Sequence, residues 1–569
     1  MTAARKAAMP ALLLVAIALL VWLGIRAHRR TAPPEPAAHT GIAQPPEPEQ
    51  PHAHDVPQPR DAVQPRAPHV AEAPRDVPAA QAATQDLPYV EGELILRLAD
   101  RAMLARLEEL LSRRGIAVLR RLPQLGIVRV KLPEGMTVPE AEEALGGIGE
   151  ISETIRNVKT ELPRDVSELP LLDEHRRLTL VNDGGRQLIH DTDPLAHSSA
   201  GKNVMVALLD TGVDDRHPDL VNRVLRGYNF VDDSTVTMDD HFHGTACAGI
   251  IVGELRSSDG VSGVAPAAYL LPVKVMDAEG RGNAFAVAEG IVYAADRGAK
   301  VINLSIGTHG DSVMLSDAVD YAQRRGAVIV ASSGNDGRED VYYPAAYPSV
   351  VCVGAVDGEG NIAPFSNFGD AVDVVAPGVA VRTTAPGMRD ALFSGTSAAT
   401  PFVAGALAAI MGENPNLSPA DAVKRLVESA DNLGPAGWDP YSGAGLINLK
   451  RALRSDAKEL NDLAVTSLYF TPGDVSPGMP VRVNFVIQNQ GNRTASGATF
   501  TVEIAGERED VRVKDLKRNE CLAITRDWTP PAAMPESELR IRGIVRTSTA
   551  DDELDDNGRG VILQRSTWE

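Results

Sequence analysis

The 569-residue chain predicts an α/β protein: a doubly wound parallel sheet, preceded by a small α/β unit and followed by an all-β sandwich. Three observations carry this reading. The apolar run at 204–209 ends in Asp210 and a Thr-Gly turn, the pattern of a core strand in an α/β sheet. The small-residue runs HGTACAGIIVG and GTSAATPFVAGALAAIM have the look of helices. Beyond Asp462 the texture changes to short alternating segments broken by Gly, Pro and Asn.

Length alone exceeds one hydrophobic core and predicts about three or four domains. The 56 Lys and Arg against 76 Asp and Glu give a net charge of −20, which argues against nucleic acid as a partner. The 3 cysteines, Cys247, Cys352 and Cys521, are widely separated and odd in number, so they form neither a disulfide framework nor a zinc site.

Residues 1–30 contain an uncharged apolar run, AAMPALLLVAIALLVWLGI, long enough to span a bilayer. It meets Arg26, Arg29 and Arg30 with no small-residue cleavage site behind it, so we read a retained signal-anchor. Arg5 and Lys6 nearly balance those arginines, and the charge rule leaves the orientation open. Residues 31–87 are rich in Pro, Ala, Gln and charge, the composition of a disordered spacer; its scattered histidines read as solvated.

Residues 88–165 read as strand, helix, two strands, helix, strand, with helices on one sheet face. VEGELILRLAD alternates, RAMLARLEELLSRRG has helical spacing, and GIVRVKLPEG alternates again. Thr137 with Glu140 three residues on is a capping-box signal, and SETIRNVKTEL reads as the closing strand.

The block at 166–455 holds the chemistry-bearing residues. Ser397, in GTSAATP, stands at a helix start, where Ser is also an ordinary cap. A serine hydroxyl becomes a nucleophile when a base takes its proton and a third group orients that base. Asp210, at a strand end, and His243, before a Gly-Thr turn, supply those two partners.

DTGVD, HGTACAG and GTSAATP, in that order, resemble the signature segments of the subtilisin-like serine proteases. INLSIG, ASSGNDG and VAPG fall in the family's order as well. The resemblance implies a subtilisin-like fold and a serine endopeptidase in which Ser397 attacks the peptide carbonyl, His243 moves the proton and Asp210 holds the imidazole. By the same resemblance, Asn335 supplies the oxyanion-hole side chain. Substrate then binds as an added strand between Ser305, Ile306 and Gly307 on one side and Gly280, Arg281 and Gly282 on the other. Ser332, Ser333 and Gly334 line the pocket for the residue before the cut, and Tyr342 closes its floor, which favours small or medium side chains there.

Ala246 and Cys247 depart from the commoner pattern and resemble the proteinase K branch, with a buried, spectator thiol under His243. The chemistry requires no cofactor. Asp219 matches a residue that ligates structural calcium in many relatives, yet Ser257 stands where an Asn is usual, and calcium stays open. The unit at 88–165 resembles the prodomains of these proteases and is expected to act as an intramolecular inhibitor, with autocleavage between about residues 158 and 172.

Residues 460–569 read as a sandwich of about seven strands, similar to immunoglobulin-like, CARDB-like adhesion modules of bacterial surface proteins. The acidic DDELDDN before its last strand lacks the spacing of an EF-hand loop and reads as solvated. The expectation is an autoprocessed endopeptidase zymogen acting on protein or peptide substrates, membrane-anchored and facing the periplasm or exterior. A catalytically silent binding or adhesion protein on the same fold is the alternative.

Overall fold

The computed structural model describes residues 87–164, 166, 172–173, 176–177, 185–191, 198–256, 260–454, 460–473, 475–532, 538–547 and 556–563. The chain divides into two units, Met1–Val63 and Gln64–Glu569. The first lies wholly outside the described residues, and with it the expected anchor and most of the spacer. Ser257 and most of DDELDDN are also outside them.

The described chain opens with β1 (Glu93–Leu98), α1 (Leu104–Arg113), β2 (Ala117–Leu122), β3 (Ile127–Lys131), α2 (Val138–Leu145), β4 (Ile151–Ile155) and β5 (Lys159–Glu161). Four of these strands form an antiparallel sheet in the order β2-β3-β1-β4. Strand alternation divides the side chains between two cores. Leu94 and Leu96 pack with Leu107, Leu111 and Leu145 of the two helices, whereas Ile95 and Ile127 face the other way, against the helices of the next unit. The Thr137–Glu140 capping box forms as expected and fixes the start of α2. SETIRNVKTEL is not one strand: it breaks after Ile155, so that β4 stays with its own sheet and β5 joins the neighbouring unit. The cause is Asn157, fully buried, whose side-chain Oδ1 accepts the Phe285 N–H and whose Nδ2 donates to Glu93.

A short hairpin, β6 (Leu172–Asp173) and β7 (Arg176–Arg177), precedes the large α/β unit. That unit runs β8 (Met205–Asp210), β9 (Tyr228–Asn229), α3 (His243–Val252), β10 (Tyr269–Lys274), β11 (Arg281–Asn283) and α4 (Ala284–Asp296). It continues through β12 (Val301–Leu304), α5 (Val313–Arg324), β13 (Val328–Ser332), β14 (Val350–Val356), β15 (Val374–Pro377), the hairpin β16 (Val381–Ala385) and β17 (Arg389–Phe393), then α6 (Thr396–Glu413), α7 (Pro419–Glu428) and α8 (Leu449–Arg454). Seven strands make one parallel sheet, ordered β15-β14-β13-β12-β8-β10-β9. Along β8 the alternating residues serve both faces: Val206 and Leu208 pack with α3 and α6, and Ala207 and Leu209 with α4 and α5. The sheet is doubly wound, and its strand order reverses at β8, where a crevice opens at the carboxyl ends.

The last unit comprises β18 (Leu463–Thr471), β19 (Val481–Asn489), β20 (Thr499–Ile504), β21 (Glu507–Arg512), β22 (Cys521–Trp528), β23 (Leu539–Arg546) and β24 (Gly558–Leu563). Two antiparallel sheets, β18-β19-β22 and β21-β20-β23-β24, enclose a core centred on Phe485 and Phe500, whose rings meet edge-on at 5.4 Å. The sequence pattern missed β21, because EREDVR is an edge strand with almost every side chain in solvent and carries no apolar alternation.

A polar seam joins this sandwich to the α/β unit. Asp431 accepts from Gln490 Nε2 at 2.8 Å and from Asn448 Nδ2 at 3.1 Å, while buried Arg451 donates to the Gln490 carbonyl at 3.1 Å and to Asn519 Oδ1 at 2.6 Å. His190 Nε2 lies 3.1 Å from Asp431 Oδ2, and that hydrogen bond raises the imidazole pKa. A raised folded pKa gives stability that is present below the ordinary imidazole value and lost as pH rises through the folded one. His190→Ala is therefore expected to lower the Tm more at about pH 5.5 than at about pH 8.5, read by calorimetry at both values.

Candidate active site

The crevice residues come from the carboxyl ends of three adjacent strands. Asp210 is the last residue of β8, Ser305 follows β12, and Asn335 stands three residues beyond Ser332, the last of β13. His243 opens α3 and Ser397 lies in the first turn of α6. The N-cap of α6 is Gly395, at φ +132°, so Ser397 is not a cap; a Cβ on Gly395 would lie 3.0 Å from the Asn335 amide.

His243 Nδ1 is 2.8 Å from Asp210 Oδ1 and 3.0 Å from Oδ2, and both side chains are buried. The contact fixes the ring so that Nε2 is the nitrogen left to exchange a proton. The Phe393 ring packs edge-on at 5.1 Å and holds the imidazole from the side. The Ser397 hydroxyl donates to the Ser305 carbonyl at 3.3 Å.

Two residues that sequence reasoning missed hold this arrangement together. Asp239 is buried; it accepts the N–H groups of His241, Phe242 and Thr245 and the hydroxyls of Thr211 and Thr245. A carboxylate bonded to so many donors at the start of α3 acts as its electrostatic cap. It also holds Phe242 at φ +123°, an unfavourable backbone state that aims His243 toward Asp210. Thr211 Oγ1 completes the link by accepting the Gly244 N–H at 3.0 Å. The signal was present in the sequence as an acidic residue four before His243, within DDHFHGT.

Asn335 is held by its oxygen: Oδ1 accepts the Thr396 N–H at 2.9 Å and the Thr396 hydroxyl at 2.8 Å. That pairing leaves Nδ2 to point outward as a donor, and it donates to the Arg164 carbonyl at 3.0 Å. The chain from β5 lies in the crevice. Lys159, Thr160 and Glu161 pair antiparallel with Asn283, Gly282 and Arg281, and Glu161 exchanges two hydrogen bonds with Gly307 at 3.0 and 3.1 Å. The Leu162 N–H adds a bond to the Gly280 carbonyl at 3.0 Å. Residues 280–283 and Gly307 thus flank one extended segment. Tyr342 packs where a Cβ on Gly307 would lie 2.8 Å from its ring, and its hydroxyl donates to Asp336 at 2.6 Å. Gly334 lies against the same ring, and Ser332 and Ser333 are fully buried beside it.

Asp219 lies apart from this crevice. It is buried, with Oδ1 accepting the Arg256 N–H at 3.3 Å and Oδ2 the Val261 N–H at 3.0 Å. Backbone donors thus reach both oxygens, and residues 257–259 of the same loop lie outside the described residues.

A family model described as the subtilase family matches residues 201–445. Subtilisin BL from Lederbergia lenta is 43% identical over 263 residues, which cover 46% of this chain and 95% of that protein. The chain belongs to the subtilase family. Its α/β unit is that of a serine endopeptidase. A fervidolysin N-terminal prodomain model matches residues 75–153 and a CARDB model residues 460–555, so this subtilase carries a prodomain and a C-terminal CARDB domain. Fervidolysin from Fervidobacterium pennivorans is 31% identical over 458 residues, 72% of this chain and 65% of that protein. A thermophilic serine proteinase from Bacillus sp. (strain AK1) is 44% identical over 250 residues, and this chain spans 61% of its length. The crystal structure of fervidolysin shares the fold, with a TM-score of 0.57 at 24% identity over 84% of this chain and 91% of that one.

Cys247 is fully buried, with Sγ 4.0 Å from His243 Nδ1 and 3.6 Å from the Ser397 carbonyl. Burial, and then the nearby Asp210 charge, push its thiol pKa well up, so it stays protonated and a poor nucleophile. Cys247→Ser is expected to retain peptidase activity and to lose the wild type's inhibition by mercurials, read as hydrolysis of a peptide substrate with and without the reagent.

Proposed function

We propose that the whole chain is the zymogen of an endopeptidase in which Ser397 attacks, His243 moves the proton, Asp210 orients the imidazole and Asn335 stabilises the oxyanion. The observation that carries this is the amide of Asn335, turned outward by Thr396 and bonded to a peptide carbonyl in the crevice. A donor aimed at a carbonyl oxygen stabilises the charge that develops there when a nucleophile adds. Ser397→Ala is expected to leave the chain full-length by intact mass while the wild type is shortened; a wild type that stays whole and takes no fluorophosphonate label would favour the silent binding protein. Asn335→Ala is expected to lower kcat by about a hundred- to a thousandfold with little change in KM, measured on a peptide substrate.

The unit at 88–165 serves as an intramolecular inhibitor of the unit at 166–455. Its strand in the crevice supports this, together with ion pairs across the interface, Arg97 to Asp317 at 2.6 Å and Arg120 to Glu289 at 2.7 Å. Substrates are proteins or peptides bound as an added strand along 280–282 and 305–307, with Ser332, Ser333, Gly334 and Tyr342 selecting small or medium side chains. The unit at 460–569 binds a surface or substrate, or stabilises its neighbour through the Asp431–Arg451 seam. The run in 1–30 tethers the enzyme outside the cytoplasm until cleavage; among the described residues no helix is long and apolar enough to cross a membrane.

For the metal, the backbone donors on both oxygens of Asp219 favour a site that needs no cation. EDTA is expected to leave the Tm unchanged in a thermal melt; a fall of several degrees, restored by calcium, would assign the ion to this loop.

A further inference from the structure

We infer that Lys274 is a positioning residue for the reaction: its ammonium ties the turn that follows Asp210 to the loop that precedes His243, and so holds carboxylate and imidazole in register. The inference rests on the endopeptidase reading above and goes beyond it. β10 pairs parallel with β8, which sets Leu270 beside Val206 and Lys274 beside Asp210. Leu270 and Val206 share the core on the α3 side of the sheet. Strand alternation puts Lys274 and Asp210, four residues further along, on that same face. The Lys274 side chain is only 5% exposed, and a buried ammonium persists only where acceptors meet it. It has two, drawn from different elements: Nζ donates to the Thr211 carbonyl and to Asp240 Oδ1, the latter at 2.6 Å.

Thr211 is where this matters. Its N–H donates to Asp210 Oδ1 at 2.7 Å, the same oxygen that His243 Nδ1 approaches at 2.8 Å. Its hydroxyl is held between Asp239 and the Gly244 N–H. With the carbonyl taken by Lys274, every polar group of Thr211 is bonded, and the turn has one orientation in which to present Asp210. Asp240 stands three residues before His243, so the second bond of the ammonium reaches the loop that carries the imidazole. The two bonds are unequal in weight. Asp240 is half exposed, which makes its ion pair a weak one, whereas Thr211 is fully buried and its carbonyl would lose a partner without the ammonium. A small displacement of a positioned group, of the order of 1 Å, costs up to about a hundredfold in rate.

The test compares wild type, Lys274→Met, Lys274→Arg and Asp240→Asn, each made as the full chain. The readouts are kcat and KM on a peptide substrate, the Tm, and the downfield proton resonance of the His243 Nδ1–H, which reports its bond to Asp210 directly. Lys274→Met is expected to lower kcat by about ten- to a hundredfold at unchanged KM and to shift or broaden that resonance. Lys274→Arg, which keeps a charged donor, is expected to recover most of the loss. Asp240→Asn is expected to lower kcat about two- to fivefold. A folded Lys274→Met with wild-type kcat and resonance, or one whose loss lies in KM alone, overturns the inference and leaves the endopeptidase standing. If Lys274→Met does not fold, Asp240→Asn decides: wild-type kcat and resonance there overturn the inference. A wild type that hydrolyses no peptide and takes no fluorophosphonate label overturns both.

Discussion

The three residues of β5 belong to a sheet that neither neighbouring unit completes alone. Lys159, Thr160 and Glu161 leave their own four-stranded sheet at Asn157 and pair instead with β11 and Gly307. Main-chain hydrogen bonds tolerate almost any side chain, so the same edges that hold this segment can hold a substrate. What makes the segment a resident rather than a visitor is the body behind it. Ile95, Leu122 and Ile127 share a core with α4 and α5, and Arg120 reaches both Glu289 and Asp233. The strand is thus delivered with its entropy already lost, which is why a short piece of chain can fill the crevice.

The crevice in turn depends on polar groups that the core could not otherwise bury. Asp239 collects five donors, and its cost of desolvation is offset by those bonds. Removing it would leave the start of α3 without its cap and Phe242 in a backbone state that costs about 1–3 kcal/mol with nothing to enforce it. The Asp210–His243 pair is therefore positioned by a second carboxylate that touches neither of them.

Much of this was legible because the relevant signals are local. A run of aliphatic residues ending in Asp210 can hardly be other than a core strand delivering a carboxylate to the sheet edge, and the cap of Thr137 and Glu140 needs only four residues to be read. The illegible parts were those decided by partners far away in the chain. Nothing within SETIRNVKTEL marks Asn157 as the point of division, since its partners are Phe285 and Glu93. β21 was hidden because an edge strand wet on both faces has no apolar pattern to betray it. Asp239 was visible as a residue but not as a hub: four of its five donors are local, but the one that ties α3 to β8, the Thr211 hydroxyl, is distant in the chain.

Two prolines tie the nucleophile to the strand that covers it. Pro401, inside α6, cannot donate to the carbonyl four residues earlier, that of Ser397. The vacancy is taken by the Ser305 hydroxyl at 3.1 Å. The antiparallel register that sets Glu161 against Gly307 continues to Pro163 against Ser305; Pro163 cannot donate to the Ser305 carbonyl, and that vacancy is taken by the Ser397 hydroxyl. The two serines therefore bond each other's carbonyls, each through a donor that a proline withheld. The first of these vacancies is permanent, built into the helix; the second lasts only while proline sits opposite Ser305. A bound strand with an N–H at that level competes for the same carbonyl with a backbone hydrogen bond of ordinary strength, about 0.5–1.5 kcal/mol net. The bond that Ser397 gives up is of the same ordinary strength, so the hydroxyl can turn to the imidazole with either occupant in place.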